Sequence, residues 1–287
     1  MLNVGIIGIT EVLEPHVICI RKNKNINVIG KASIGTSMQL NGFHFSIPEF
    51  NKVELIERAD IFLIDNSSPL PFEMLCKIIK KSKHIFFIEY MNITVDECAE
   101  LVKLTSESGS VVHVINPIYY TPVVQWLNSR ITLPLFLDIS KYISEATFKE
   151  TLFPILLMLT DITGIHSKKV SAIAFNSEDS ETKFTNIRLE FNDASVININ
   201  MDNKLPIDKF NIRGFSKNQF ISLNFNEETF LVNNSAINFT DDHSTNEYDG
   251  FVESIQDNSQ KFNNLETYHS VMQLIEIIEK KITQFVV

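Results

Sequence analysis

Asn3-Val4-Gly5-Ile6-Ile7-Gly8 is an apolar run that stops on a glycine and passes through Ile9 into Thr10. A first strand entering a tight turn has this pattern, and a helix N-terminus behind such a turn can hold a phosphate. A dinucleotide turn carries two further glycines. One lets the backbone approach the pyrophosphate, and the other lets helix and strand pack closely. Here Thr10 and Leu13 stand in those places. Gly8 therefore has two readings, a structural turn or the remnant of a cofactor loop. Thr10 still offers a hydroxyl and an amide, but its branched side chain crowds the approach. Glu11 and Glu14 add negative charge where a diphosphate would sit, which opposes binding. NAD(P) is the cofactor such a scaffold would take, and tight binding is not expected.

The other reactive side chains form no recognisable constellation. His16, His44, His84, His113, His166, His243 and His269 are scattered, with no pair at the short spacing of a metal site. Cys19, Cys76 and Cys98 fall in separate predicted helices without metal-type spacing, and read as free thiols in a reducing cytoplasm. Asp241-Asp242-His243 belongs to a polar loop, and no metal is expected. There is no Gly-x-Ser-x-Gly motif.

Composition narrows the class. A chain of 287 residues fits about two domains, and 22 phenylalanines against one tryptophan point to a Phe-filled core. The net charge of −10 opposes nucleic-acid binding, which needs a basic face. The densest basic cluster, Lys77, Lys80, Lys81 and Lys83, reads as a solvated helix end. No run reaches the ~18 apolar residues of a membrane span, and the N-terminus enters a strand at once rather than a leader peptide.

The elements that must position these residues alternate strand and helix over roughly the first 115 positions. Strands are predicted at Val4–Ile9, Asn27–Ser33, Ile61–Asp65, His84–Glu89 and Val111–Val114. Helices are predicted at Pro15–Arg21, at Phe72–Lys81, and from Thr94, where Glu97 completes a capping box, to Ser108. The second half begins with an apolar helix over Ala146–Asp161. Period-two runs follow at Ser171–Phe175, Asn186–Phe191, Val196–Met201, Phe210–Phe215, Phe220–Phe225 and Thr229–Val232. This alternation belongs to an antiparallel sheet with one buried face. Thr240–Glu247 reads as a polar loop, and a C-terminal amphipathic helix spans 265–283. The expected fold is α/β: a Rossmann-like parallel-sheet domain over 1–117, then an α+β domain with an open, mainly antiparallel sheet over 118–287.

This order resembles the Gfo/Idh/MocA family of oxidoreductases over nearly the whole chain. The best segment is His84-Ile-Phe-Phe-Ile-Glu-Tyr-Met-Asn-Ile-Thr-Val-Asp-Glu, which in the family reads KHV-x-x-EKP before a Thr-capped helix. The resemblance places the cofactor at Gly8, Ile9, Thr10, Ser33, Asn66, Ser68 and Glu89, and the substrate loop at Asn116, Tyr119 and Tyr120. The family lysine is here Tyr90, and its proline is Met91. The family's catalytic histidine falls on Pro154, which has no titratable group, and its acidic partner falls on Glu150. The ribose-binding acid falls on Ser33. Glu89-Tyr90 and Ser33 are similar to the biliverdin reductase branch, although that branch keeps the glycine fingerprint.

Two functions remain. One is a divergent, non-catalytic homologue that binds a small molecule or protein partner in an interdomain cleft. The other is an active NAD(P)-dependent reductase with Tyr90 or Glu150 as proton donor, or water in that role. The resemblance also implies a homodimer through the open sheet, since an exposed apolar face needs cover.

Overall fold

The computed structural model describes residues 1–34, 47–65, 70–143, 148–164, 167–176, 183–205, 209–237 and 247–284. The chain divides into two compact units. The first is Met1–Ile115 with Thr245–His269, and the second is Asn116–Ser244 with Ser270–Val287. The sequence division at 117 assigns the entire C-terminal part to the second domain. By contact, Thr245–His269 instead groups with the N-terminal unit.

The first unit runs β1 (Leu2–Ile9), α1 (Thr10–Ile20), β2 (Ile26–Ile34), α2 (Lys52–Arg58), β3 (Ile61–Ile64), α3 (Phe72–Lys80), β4 (His84–Phe87), α4 (Val95–Ser108) and β5 (Val112–Val114). Its five strands are all parallel, in the order β2-β1-β3-β4-β5. All four residues of β3 are buried. That apolar continuity is what coverage on both faces requires. The α4 capping box forms in full, with Glu97 N–H donating to Thr94 Oγ1 and Thr94 N–H to Glu97 Oε2. By contrast, α1 starts at Thr10, five residues before the predicted Pro15, which lies inside the helix. Burial of Leu13, Val17 and Ile20 at zero exposure extends the helix past that local signal.

Later in the chain come α5 (Pro122–Arg130), β6 (Leu135–Tyr142), α6 (Phe148–Thr163), β7 (Ser167–Asn176), β8 (Lys183–Phe191), β9 (Val196–Asp202), β10 (Phe210–Ser216), β11 (Gln219–Asn224), β12 (Thr229–Val232) and β13 (Ser235–Ala236). Two helices, α7 (Glu247–Gln256) and α8 (Leu265–Gln284), complete the described residues. The second sheet has the order β13-β12-β11-β10-β6-β9-β8-β7. Among the described residues, only β6 and β9 pair in parallel within it. Its central strand β6, like α2, α5 and α7, has no counterpart in the sequence reading.

The Thr240–Glu247 loop needs correction at its end. Positions 240–246 lie outside the described residues, but Glu247 opens α7 and is buried at 7% exposure. In the first unit, Tyr248, Phe251, Val252 and Ile255 of α7 join Ile6, Leu13, Val17 and Phe86 in one apolar core. Gly250 permits this packing, because a Cβ there would lie 2.0 Å from the Phe262 ring. Past α7, the Asn264 side chain prolongs the sheet edge. It accepts from Val114 N–H at 2.9 Å and donates to Val114 O at 2.8 Å.

Candidate functional site

At the β1–α1 turn the chain supplies its own anion. Gly8 has φ +143°, and a Cβ placed on it would lie 2.1–2.3 Å from the Asp65 carboxyl atoms. Asp65 follows β3, and its N–H donates to Ile7 O at 3.1 Å. Its Oδ2 accepts from Ile9 N–H at 2.6 Å, a charge-assisted bond. Asp65 is 1% exposed. The other flanking strand brings a cation to the next residue: Lys31 of β2, also 1% exposed, donates from Nζ to Thr10 Oγ1 at 3.5 Å and lies 3.0 Å from Glu49. From the sequence, Glu11 and Glu14 are the charges expected to repel a diphosphate at this turn. The carboxylate bonded within the turn belongs to Asp65, expected from the sequence as the end of the third strand.

Of the other expected cofactor contacts, Ser33 pairs in register with Gly8 through the backbone. Its side chain, and all of Asn66 and Ser68, lie outside the described residues. Glu89 is exposed and Tyr90 half-buried. The backbone after Tyr90 is clamped by Tyr268 of α8, whose hydroxyl accepts from Met91 N–H at 2.7 Å and donates to Met91 O at 3.2 Å. Burial, with Tyr90 nearby, pushes the Tyr268 phenol well above its ordinary range, so it stays protonated. The Tyr90 and Tyr268 rings lie 5.9 Å apart.

The second unit holds the expected substrate loop. Asn116 is buried, and its Oδ1 accepts from Tyr119 N–H at 3.1 Å. The Tyr119 hydroxyl accepts from Asn128 Nδ2 at 3.0 Å, and Gln125 Nε2 donates to Tyr119 O at 2.8 Å. Burial and then the Asp161 charge raise the Tyr119 phenol. Tyr119 meets Tyr120 edge-on at 5.2 Å. These bonds fold the loop onto α5. Glu150 is exposed in the first turn of α6, and Pro154 lies inside that helix.

A second buried polar cluster, unread in the sequence, ties α7 to the first unit. His113 Nδ1 lies 2.8 Å from Phe262 O, and a carbonyl only accepts, so Nδ1 carries hydrogen. Its Nε2 lies 2.5 Å from Glu247 Oε1, with both residues buried. The neighbouring Tyr248 hydroxyl bonds His16 Nδ1. Burial lowers His16 against the opposing Glu247 charge, and burial raises the Tyr248 phenol. Both are therefore neutral near pH 7, and the phenol donates. Among the described residues, no group of three or more His, Cys, Asp or Glu side chains is placed to hold a metal ion.

Solved structures share this architecture. UDP-N-acetylglucosamine 3-dehydrogenase GnnA from Acidithiobacillus ferrooxidans is similar with a TM-score of 0.82 at 14% identity, over 99% of this chain and 98% of that one. This chain has the Gfo/Idh/MocA oxidoreductase fold. The dehydrogenase MviM from Clostridium difficile gives 0.79 at 14% identity, over 98% and 99%. Biliverdin reductase from Synechocystis sp. PCC 6803, solved with biliverdin and NADP+, gives 0.68 at 12% identity, over 98% and 99%. No protein-family model and no curated protein matches the sequence. At such identities the likeness to the Gfo/Idh/MocA proteins is one of fold, and function rests on the site residues. Among the described residues, no helix is long and apolar enough to cross a membrane.

Proposed function

We propose that this chain is a divergent relative of the Gfo/Idh/MocA oxidoreductases that has lost dinucleotide-driven hydride transfer and serves as a binding protein. One observation carries the reading: the Asp65 carboxylate takes the Ile9 N–H and fills the space against Gly8. A diphosphate would need that amide and that space, and would meet like charge there. The turn does not fit NAD(P). Pro154 supports the reading, since it offers no proton where the family's histidine falls. The ligand is a small molecule or protein partner, taken at the C-terminal edge of the parallel sheet, where open α/β folds bind their ligands.

The same reading includes a homodimer through the outer face of the second sheet. Phe215 is 53% exposed and its ring lies near those of Phe136 and Phe220. Ile173 and Phe175 of β7 are 44% and 52% exposed. Such apolar surface favours cover by a second copy.

Calorimetric titration with NAD+, NADH, NADP+ and NADPH tests the proposal. Silence at millimolar concentration is expected, and a low-micromolar dissociation constant for any of the four would overturn it. A second reading, an active NAD(P)-dependent reductase using Tyr90, is favoured by the hold of Tyr268 on the Met91 backbone, which fixes the segment carrying Tyr90. In that case Tyr90→Phe abolishes turnover, whereas unchanged turnover removes Tyr90 from the mechanism.

A further inference from the structure

We infer that Asp65 is the specificity-determining residue that shuts the β1–α1 turn to phosphate-bearing ligands, acting as a built-in substitute for the anion. The inference rests on the reading just given and goes further, because it assigns the exclusion to one side chain. Three features at the turn converge on it. The Ile9 N–H, which a phosphate oxygen would accept from, already donates to Asp65 Oδ2 at 2.6 Å. Gly8 is explained by the same carboxylate: with φ +143° and a would-be Cβ only 2.1 Å from Asp65 Cγ, the absent side chain makes room for Asp65. The surviving glycine of the fingerprint thus serves an internal ligand.

The third feature is charge. The strands on either side of β1 each deliver a buried ionic group to consecutive residues, Asp65 beside β3 to Ile9 and Lys31 of β2 to Thr10. Both are 1% exposed. A buried carboxylate is tolerated only with hydrogen bonds and compensating charge; the turn provides an amide donor, and on the next residue sits the Lys31 ammonium, which also pairs with Glu49 at 3.0 Å. A bound anion would ask for the same two groups. Removing the carboxylate leaves the Ile9 amide free to donate on a turn that keeps the Lys31 charge.

The experiment uses the full-length protein and its Asp65→Ala, Asp65→Ser and Asp65→Asn variants, titrated with inorganic pyrophosphate and with ADP, their folding checked by circular dichroism. Asp65→Ala should gain affinity at least about tenfold over the parent, the scale of one hydrogen bond to a charged group. Asp65→Ser, which removes the charge and most of the volume while keeping a polar atom, should gain in the same direction if the alanine variant fails to fold. Asp65→Asn should stay closed, because its amide oxygen still accepts from Ile9 and fills the same space. Adding Lys31→Met to Asp65→Ala should remove the gain.

The outcomes separate the two levels of the argument. Tight pyrophosphate binding by the parent sinks the functional reading itself. A silent parent with folded but silent Ala and Ser variants sinks this inference alone. A gain that survives Lys31→Met places the anion elsewhere and also overturns the inference.

Discussion

The two sheets handle polar groups in opposite ways. In the parallel sheet three polar side chains are buried and specifically bonded: Asp65 to Ile9, Lys31 to Thr10, His113 to Glu247. In the eight-stranded sheet burial alternates along strands such as β9. The outward positions there carry a ladder in which Asn186 Nδ2 donates to Asn200 and Asn200 Nδ2 to Asp138, both at 2.8 Å. Arg188 adds contacts to Glu190 and Asn198. A half-wet ladder can exchange partners with water, whereas a buried pair cannot. A single side chain can therefore decide structure or specificity in the first unit, while the second sheet spreads its polar load.

The comparison is tested hardest at His113. Replacing it with alanine leaves Glu247 buried without its imidazole partner. Unfolding free energy should fall by about 3–5 kcal/mol, read as a lowered denaturation midpoint. A loss below 1 kcal/mol would mean that buried pairs here are no more consequential than the ladder.

Acid provides the next test, at His84. Burial, partly opposed by Asp60, lowers its pKa from 6.5 to about 4, and its Nδ1 accepts from Val111 N–H at 3.0 Å. The neutral ring is the form the fold favours. Its contribution is therefore complete above the unfolded-state value of 6.5 and drains away as pH falls through about 4. The full span is on the order of 3 kcal/mol. Denaturation curves between those pH values should show the decline, and His84→Gln should flatten that part of the profile.

Tyr268→Phe should cost less, about 1–3 kcal/mol for the two Met91 bonds, with faster amide exchange at Met91 as its signature. Asn200→Ala on the ladder should cost least, under about 1 kcal/mol, because water can replace its partners. Equal losses from Tyr268→Phe and Asn200→Ala would erase the contrast between the sheets.

Features set by neighbouring residues are legible in the sequence. The Thr94–Glu97 capping box and the alternating runs of β8 to β12 announce their structures locally. Features that depend on distant pairing are not. Glu247 ends a polar stretch that reads as loop and Tyr248 comes directly after it, and their burial is decided by His113 and His16, which lie 134 and 232 positions away. Pro15 reads as a helix start because the buried face of α1, which overrides it, is a tertiary fact. The gap in the phosphate fingerprint at Thr10 and Leu13 is visible from the residues alone. The cause of closure is not, because Asp65 meets Ile9 only through the register that sets β3 beside β1.

The Ile9 amide itself gives the most direct test of the central claim. In 1H–15N correlation spectra of the parent protein, the Ile9 and Thr10 resonances should stay fixed as NADH is raised to millimolar concentration, since the Ile9 N–H is already bonded to Asp65. A saturable shift of those two resonances would place a dinucleotide on the turn and contradict the account.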